Sequence, residues 1–318
     1  MASSVEQIVE CVPNFSEGRD RTKVAAILAA MQVPGVSLLD WSLDADHNRS
    51  VITVAGAPAA VREAAVCGAV KAAEVIDLTA QEGVHPRIGA ADVIPFVPIA
   101  NISLEQCALL ARQAGMELWK RAAVPSYFYE AAAARPDRAL LEDVRRGQFE
   151  GLRDAVKKDS SRWPDVGGPE LHATAGASAI GARKLLIAYN IFLETTVVTT
   201  ARAIAREVRA SGGGLAGVKA IGVLAHGRAQ ISMNITDFKV TSVGAAFALV
   251  KQKAAKYGTK PVRGELIGLL PEAALEPGSE WMGQLEGFSA EERVLEYRLA
   301  NPLPWPQLTE LAGVASNG

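Results

Sequence analysis

Cysteine is scarce in this chain. Cys11, Cys67 and Cys107 are odd in number and widely separated among 318 residues, which excludes a disulfide framework and a CxxC metal knuckle. They read as reduced, mostly buried thiols of a cytoplasmic protein. An excess of either charge is also missing. Lys+Arg 33 against Asp+Glu 35 leaves a net charge of -2, with no electrostatic footprint for a phosphate backbone or an anionic membrane. Long apolar runs are absent: the strongest, LLIAYNIFL from Leu185 to Leu193, is nine residues, contains Asn190, and is too short to cross a bilayer. The start, MASSVEQIVECV, lacks the basic and apolar pattern of a secretory signal. Four scattered histidines form no zinc signature, and neither a P-loop nor a G-x-S-x-G elbow occurs. The expectation is a soluble, cytoplasmic protein without nucleic-acid or membrane partners.

What remains is ordinary globular composition, 49% hydrophobic and 21% charged, at a length comfortable for two domains. Short Val-, Ile- and Leu-rich runs alternate with Ala-rich stretches of helical period. In the first half IVECVPNF, VSLLDW, SVITVAG, VIPFVPI and SYFYE read as strands. RTKVAAILAAMQ, AAVREAAVCGAVKAAEVI and LEQCALLARQAGMELWKRA read as helices, and residues 135–163 as surface helix and loop. From Leu185 the order is β-α-β-β-α-β, with a polar HGR turn between the middle strands. The first half opens in the same order and adds further elements. The fold class predicted is α+β: two ferredoxin-like subdomains, residues 1–185 and 186–318, with mixed or antiparallel sheets and helices on one face. The Pro-rich end from about Asn301 is expected to cross the surface as a tail.

Two motif matches fail on context. GGGLAG, Gly212 to Gly217, follows a helix and precedes a strand, the reverse of a dinucleotide fingerprint, and reads as a helix C-cap and loop. DADHN opens like an EF-hand loop but has Arg49 and Ala55 where that loop needs Gly and Glu.

Three polar segments can carry chemistry. In EGVHPRIGAADV, His85 lies on a loop between helix and strand, Pro86 restricts its backbone, and Gly83 and Gly89 keep the loop slim. Imidazole can both take and give a proton near neutrality, and Arg87 offers a planar donor to a carboxylate. The plain alternative is a surface histidine in a Pro-Gly turn. In DADHNRS, Asp44, Asp46, His47, Asn48 and Arg49 exceed what a turn requires, so the segment is either a ligand-presenting hairpin or a solvated one. DVGGPELHATAGASAIGARK exposes backbone that can read a heterocycle edge, or else is an interdomain linker.

These segments, with VECVPNFSEGRD, DHNRSVITVAG, EGVHPRIGAADVIPFVPI, TAGASAIGARKLLIAYNI, QISMNITDF and VRGELIGLLPEAAL, resemble the glutamate formiminotransferases in order from residue 9 to about 275. The resemblance is to a transferase-only version, without the cyclodeaminase domain that some relatives add. It implies folate-dependent transfer of a formimino group between N-formimino-L-glutamate and tetrahydrofolate, as in histidine degradation. It further implies a folate crevice between two subdomains and a cytoplasmic homodimer.

The family's catalytic histidine falls on His85. Its folate-contacting stretch falls on Gly167, Gly168, Pro169, Glu170, Leu171, His172, Ala173, Thr174, Ala175 and Gly176, where His172 and Thr174 depart from the animal enzymes. The acidic partner of the histidine aligns with Ser42, and Asp44 or Asp46 stands nearby to replace it. Asp44, His47, Asn48, Arg49 and Arg87 are assigned to substrate: a guanidinium, Arg49 or Arg87, for a carboxylate, and Asn48 for orientation. Tetrahydrofolate is a co-substrate, and the reaction calls for no metal or redox cofactor. Transfer of a formyl group, and a non-catalytic folate-binding module, are the competing readings.

Overall fold

The computed structural model describes residues 6–83 and 86–306, and the chain divides into two units, one of residues 1–183 with 302–318 and the other of residues 184–301. The first unit begins with β1 (Ile8–Cys11) and β2 (Asn14–Phe15), one extended run interrupted at Val12-Pro13. There follow α1 (Arg21–Met31), β3 (Val36–Asp44), β4 (Arg49–Gly56), α2 (Pro58–Val75) and β5 (Ala91–Ala100). Antiparallel pairing puts β1 and β2 between β4 and β5, with β3 outside β4. This is the β-α-β-β-α-β arrangement read from the hydrophobic pattern. It is extended by α3 (Leu104–Ala122), β6 (Ser126–Glu130), α4 (Leu141–Val144), α5 (Gln148–Ala155) and β7 (Ser178–Ala182).

Local chemistry starts the helices where the sequence places them. Asp20 caps α1 by accepting from the Thr22 and Lys23 amides. Pro58 opens α2 at a position that has no use for an N–H. Ser103 and Gln106 form a reciprocal capping box on α3.

Alternate strand residues divide the sheet into two faces. Val9, Cys11, Phe15, Ile52, Val54, Ile94, Phe96, Phe128 and Ile180 face α1, α2 and α3 and form the main core. At the β5–β7–β6 end the opposite face is also covered. Val144 and Leu152, from α4 and α5, and Val156 beyond them pack on Val93, Tyr127, Tyr129 and Ala179. Among the described strands, the one not read from the sequence is β7, which lies within the stretch assigned to a Gly-rich loop or linker. It inserts between β5 and β6, parallel to both. Its small residues fit tight space: a Cβ on Gly181 would lie 2.5 Å from the Tyr129 ring. The segment entering it is tied to β6 by Asp165, which accepts from the Phe128 amide at 2.8 Å and pairs with buried Arg138.

The second unit is β8 (Ile187–Leu193), α6 (Val198–Val208), β9 (Val218–Ala225), β10 (Arg228–Ile235), α7 (Val243–Lys256) and β11 (Pro261–Ile267). Its antiparallel sheet runs β11-β8-β10-β9, the ferredoxin-like order. The HGR segment is a two-residue hairpin turn, His226 and Gly227 both having positive φ, 49° and 71°. The GGGLAG stretch joins α6 to β9 as a loop. Beyond Asn301 the chain returns to the first unit, where the Leu303 amide donates to Leu38 O at 2.8 Å and Leu303 and Trp305 pack on the main core. No helix among the described residues is long and apolar enough to cross a membrane.

Between Val9 and Cys11 on β1, Glu10 points away from the helices and is buried. Burial pushes its carboxyl from the ordinary 4.5 up to about 7, with Arg183 pulling it down only in part. Between those values the folded chain keeps a proton that the unfolded chain has released, so stability falls as pH rises through that window. Glu10→Gln lacks this dependence. Its stability relative to wild type should improve by about 3 kcal/mol from pH 4.5 to pH 8, read by urea unfolding at the two pH values. A difference that stays constant with pH contradicts the account.

Candidate active site

The β3–β4 hairpin carries the DADHNRS segment at its tip, and other parts of the first unit close on it. A Cβ on Gly18 would lie 2.2 Å from Asp44 O and 2.4 Å from Arg49 N, so only glycine lets the FSEG backbone lie flat against the hairpin. A Cβ on Gly83 would meet His47 O at 2.5 Å. Asn48 locks the three backbones together. Its φ is +47°, its Oδ1 accepts from the Gly18 amide at 2.9 Å, and its Nδ2 donates to Glu82 O at 2.8 Å. Its own carbonyl accepts from Gln81 Nε2 at 3.1 Å. The Asn48 amide assigned to substrate is therefore engaged in holding the hairpin to the segment that leads to position 85.

A narrow cleft in the first unit is lined by Ser16, His47, Asn48, Arg49, Gln81, Arg87 and Asp92, with about 10 Å³ of open volume. On its hairpin wall, Asp44 Oδ1 accepts from the His47 amide at 2.9 Å and Oδ2 accepts from His47 Nδ1 at 2.7 Å. Arg49 stands opposite Asp44 in the β3–β4 register. Burial, followed by the neighbouring Arg145, lowers the Arg49 guanidinium to about 10, against the opposing pull of Asp92 and Asp44. It is still a cation at neutral pH.

Arg87 serves the scaffold. Buried, it donates through Nε to Gln81 Oε1, through Nη2 to Gln81 O at 2.8 Å, and through both Nη atoms to the Glu150 carboxylate at 2.9 and 3.3 Å. Burial raises the Glu150 carboxyl, but the hydrogen bonds and charge of Arg87 outweigh it and hold the pKa below the usual range. The fork expected to receive a substrate carboxylate thus ties the Leu78–Gln81 turn to α5.

Asp92 accepts from the Ile88 amide at 2.8 Å and pairs with Arg145, fixing the other end of the same loop. Ser16 Oγ donates to Gly89 O at 2.7 Å. His85 lies outside the described residues. Its neighbours Gly83 and Arg87 both belong to the surroundings of the cleft.

The Gly-rich stretch meets the far side of this loop. His172 and Gly176 exchange backbone hydrogen bonds at 2.9 and 3.0 Å, closing a tight turn in which His172 Nδ1 accepts from the Ala175 amide at 3.0 Å. Gly176, φ +68°, lies against Ile88, where a Cβ would be 2.1 Å from Ile88 O. Leu78 and Ala90 donate to Thr174 O and Ala175 O, each at 2.9 Å. Gly167, Pro169, Glu170 and Ala173 are exposed, whereas Ala175 and Gly176 are buried. Leu171 is half-buried, and Gly168 precedes Pro169 through a cis peptide. These residues abut the loop but do not line the cleft.

Sequence reasoning missed Ser16, Gln81, Asp92, Arg145 and Glu150. Asp92 alone left a signal, a carboxylate at the head of the apolar run VIPFVPI.

An Asp–His pair beside a half-buried cation, on a backbone frame too tight for side chains, has the chemistry for proton transfer next to an anion. The chain belongs to the formiminotransferase family: the family model of the formiminotransferase domain, N-terminal subdomain, matches residues 8–183, and that of the formiminotransferase domain matches residues 188–300. It is 42% identical to a glutamate formimidoyltransferase of Streptococcus pyogenes serotype M1, across 92% of this chain and 99% of that one. It is 44% identical to a protein of the same name from Thermoplasma acidophilum, across 92% and 97%. To the formimidoyltransferase-cyclodeaminase of Mus musculus it is 39% identical over 85% of this chain, which spans 51% of that longer protein.

Asn48→Ala removes two side-chain hydrogen bonds and leaves a strained φ. It should cost about 2–4 kcal/mol in unfolding experiments. Asn48→Gly accepts the same φ, and should recover about 1 kcal/mol of that loss while leaving activity low.

Proposed function

We propose that this protein is a glutamate formimidoyltransferase, moving a formimino group between N-formimino-L-glutamate and tetrahydrofolate. The carrying observation is end-to-end similarity, above 40% identity, to two proteins of that name. The cleft chemistry supports it. N5 of tetrahydrofolate attacks the formimino carbon, the tetrahedral intermediate loses a proton from N5, and the glutamate nitrogen leaves once it has gained one. His85 is assigned to move that proton, a contribution of ~10²–10⁴-fold. Arg49 takes a glutamate carboxylate, as a half-buried cation opposite Asp44 at the cleft wall. Residues 167–173, exposed or half-buried beside the loop, present backbone to the folate, with Gly167 and Gly168 at φ +81° and +85°. Tetrahydrofolate enters as co-substrate.

The test is an assay of the purified protein with tetrahydrofolate and N-formiminoglutamate, in parallel with N-formylglutamate. Turnover is expected with the formimino compound. Exclusive turnover with the formyl compound, or folate binding without turnover, overturns the assignment.

Two substitutions refine it. His85→Ala should lower kcat by ~10²-fold or more, and a rate near wild type removes His85 from the reaction. Arg49→Ala should raise KM for the glutamate substrate ~10-fold or more. Arg87→Ala should chiefly lower Tm, because its partners are Gln81 and Glu150.

A further inference from the structure

Formimino transfer moves one proton from the attacking nitrogen to the departing nitrogen. Both nitrogens are bonded to the same tetrahedral carbon, yet they belong to different molecules. A single imidazole must swing between them, whereas two fixed imidazoles divide the task. The cleft is lined by an imidazole besides the one assigned above, that of His47.

His47 is held at three points. Its backbone amide and its ring Nδ1 are bound by the two oxygens of one carboxylate, Asp44, at 2.9 and 2.7 Å. Its carbonyl lies against Gly83, and the next residue, Asn48, is clamped to Gly18, Gln81 and Glu82. A turn needs only the first of these contacts. The second carboxylate oxygen on Nδ1 orients the ring, making Nδ1 the donor and Nε2 the position that exchanges protons. The ring is half-buried and lines the cleft together with Arg49 and Asp92.

We propose that Asp44 and His47 form a second acid–base dyad of the transfer reaction, with His47 Nε2 delivering the proton to the departing glutamate nitrogen. The inference rests on the function proposed above. In the balanced step the N5 lone pair forms the new N5–C bond while the C=N π pair moves onto the imino nitrogen. The N5 proton passes to His85 and the N–H pair stays on N5 as its lone pair. The imino pair re-forms C=N as the glutamate nitrogen departs. The C–N bond to glutamate breaks with its pair remaining on the glutamate nitrogen, which takes the His47 proton. Exchange of one proton with solvent at each imidazole then returns both to their starting states. Asp44 orients the His47 ring through Nδ1 and is a positioning residue. The charged groups around the dyad are Asp46 on its own hairpin, Arg49 on β4, Glu17 and Arg19 before α1, and Arg87 and Asp92 across the cleft. Arg19 reaches the hairpin through Nε, which donates to Ala45 O at 2.9 Å.

The experiment compares wild type, His47→Ala, His47→Gln and Asp44→Asn in the formiminoglutamate assay, with kcat and KM measured across pH and with added imidazole. Folate binding and Tm check the fold of each variant, and His47→Gln stands in should His47→Ala not fold. The expected result is a kcat lower by ~10²-fold in both His47 variants with KM for both substrates within ~3-fold. Their kcat profile should lose the alkaline fall that a required acid imposes. Added imidazole should restore His47→Ala by ~10-fold, but not Asp44→Asn, where the ring is still present. A kcat within ~2-fold of wild type, a change in KM alone, or a lower kcat with an unchanged pH profile and no rescue by imidazole overturns the dyad and leaves the function standing. A wild-type protein that transfers no formimino group overturns the parent reading, and the dyad falls with it.

Discussion

Close backbone approach is the constraint on which the first unit depends. Gly18 lies against the β3–β4 hairpin, Gly83 against His47, and Gly89 and Gly176 against each other's strands, each where a methyl group would collide with a carbonyl. Such approach alone gives no cohesion, because every backbone polar group drawn out of water needs a partner. Asn48 bonds its own hairpin to two other segments at once, and the left-handed conformation it adopts is one that asparagine tolerates better than most residues. The result is a frame of main chain, not of packed side chains, and main chain is what holds a hydrogen-bonding geometry to a fraction of an ångström.

That frame surrounds an interior rich in charge. Asp92 with Arg145, Asp165 with Arg138 and Arg87 with Glu150 each have at least one member well shielded from water. Removing one partner of such a pair strands the other, so the pairs specify how loops meet the sheet more than they add stability. Each joins segments distant in sequence: Arg87 reaches 63 residues to Glu150, and Asp92 reaches 53 to Arg145. The chain just beyond position 85 is thereby tied twice, at Arg87 and at Asp92, to α5 and to the turn that precedes it.

The fold was largely legible because most strands and helices announce themselves by period and caps. IVECVPNF, SVITVAG and VKAIGVLA place apolar residues where strands need them, and Ser103 and Asp20 mark helix starts. SAIGA did not announce itself. Four of its five residues are small and carry little strand propensity, and the smallness of Gly181 answers Tyr129 on a neighbour fifty residues earlier. At the site, the polar crowd of DADHNRS was readable as more than a turn. Asn48 and Arg87 were read as substrate contacts because their partners, Gly18, Gln81, Glu82 and Glu150, are set by tertiary folding that local pattern does not encode. Glu10 and Asp92 were hidden in apolar strings, where one charged residue looks like noise until the sheet shows which face it occupies.

The position of β7 bears on how the chain assembles. β6 precedes β7 in sequence by about fifty residues, yet β6 meets the sheet only through β7. During synthesis, the SYFYE segment emerges with its hydrogen-bonding edge unanswered and its aromatic side chains without their seat. It stays so until residues 178–182 have followed and slid between β6 and β5. Contacts of long sequence separation of this kind close slowly. Until that strand arrives the nascent unit exposes two open parallel edges, the kind of surface that molecular chaperones bind and that neighbouring chains can invade.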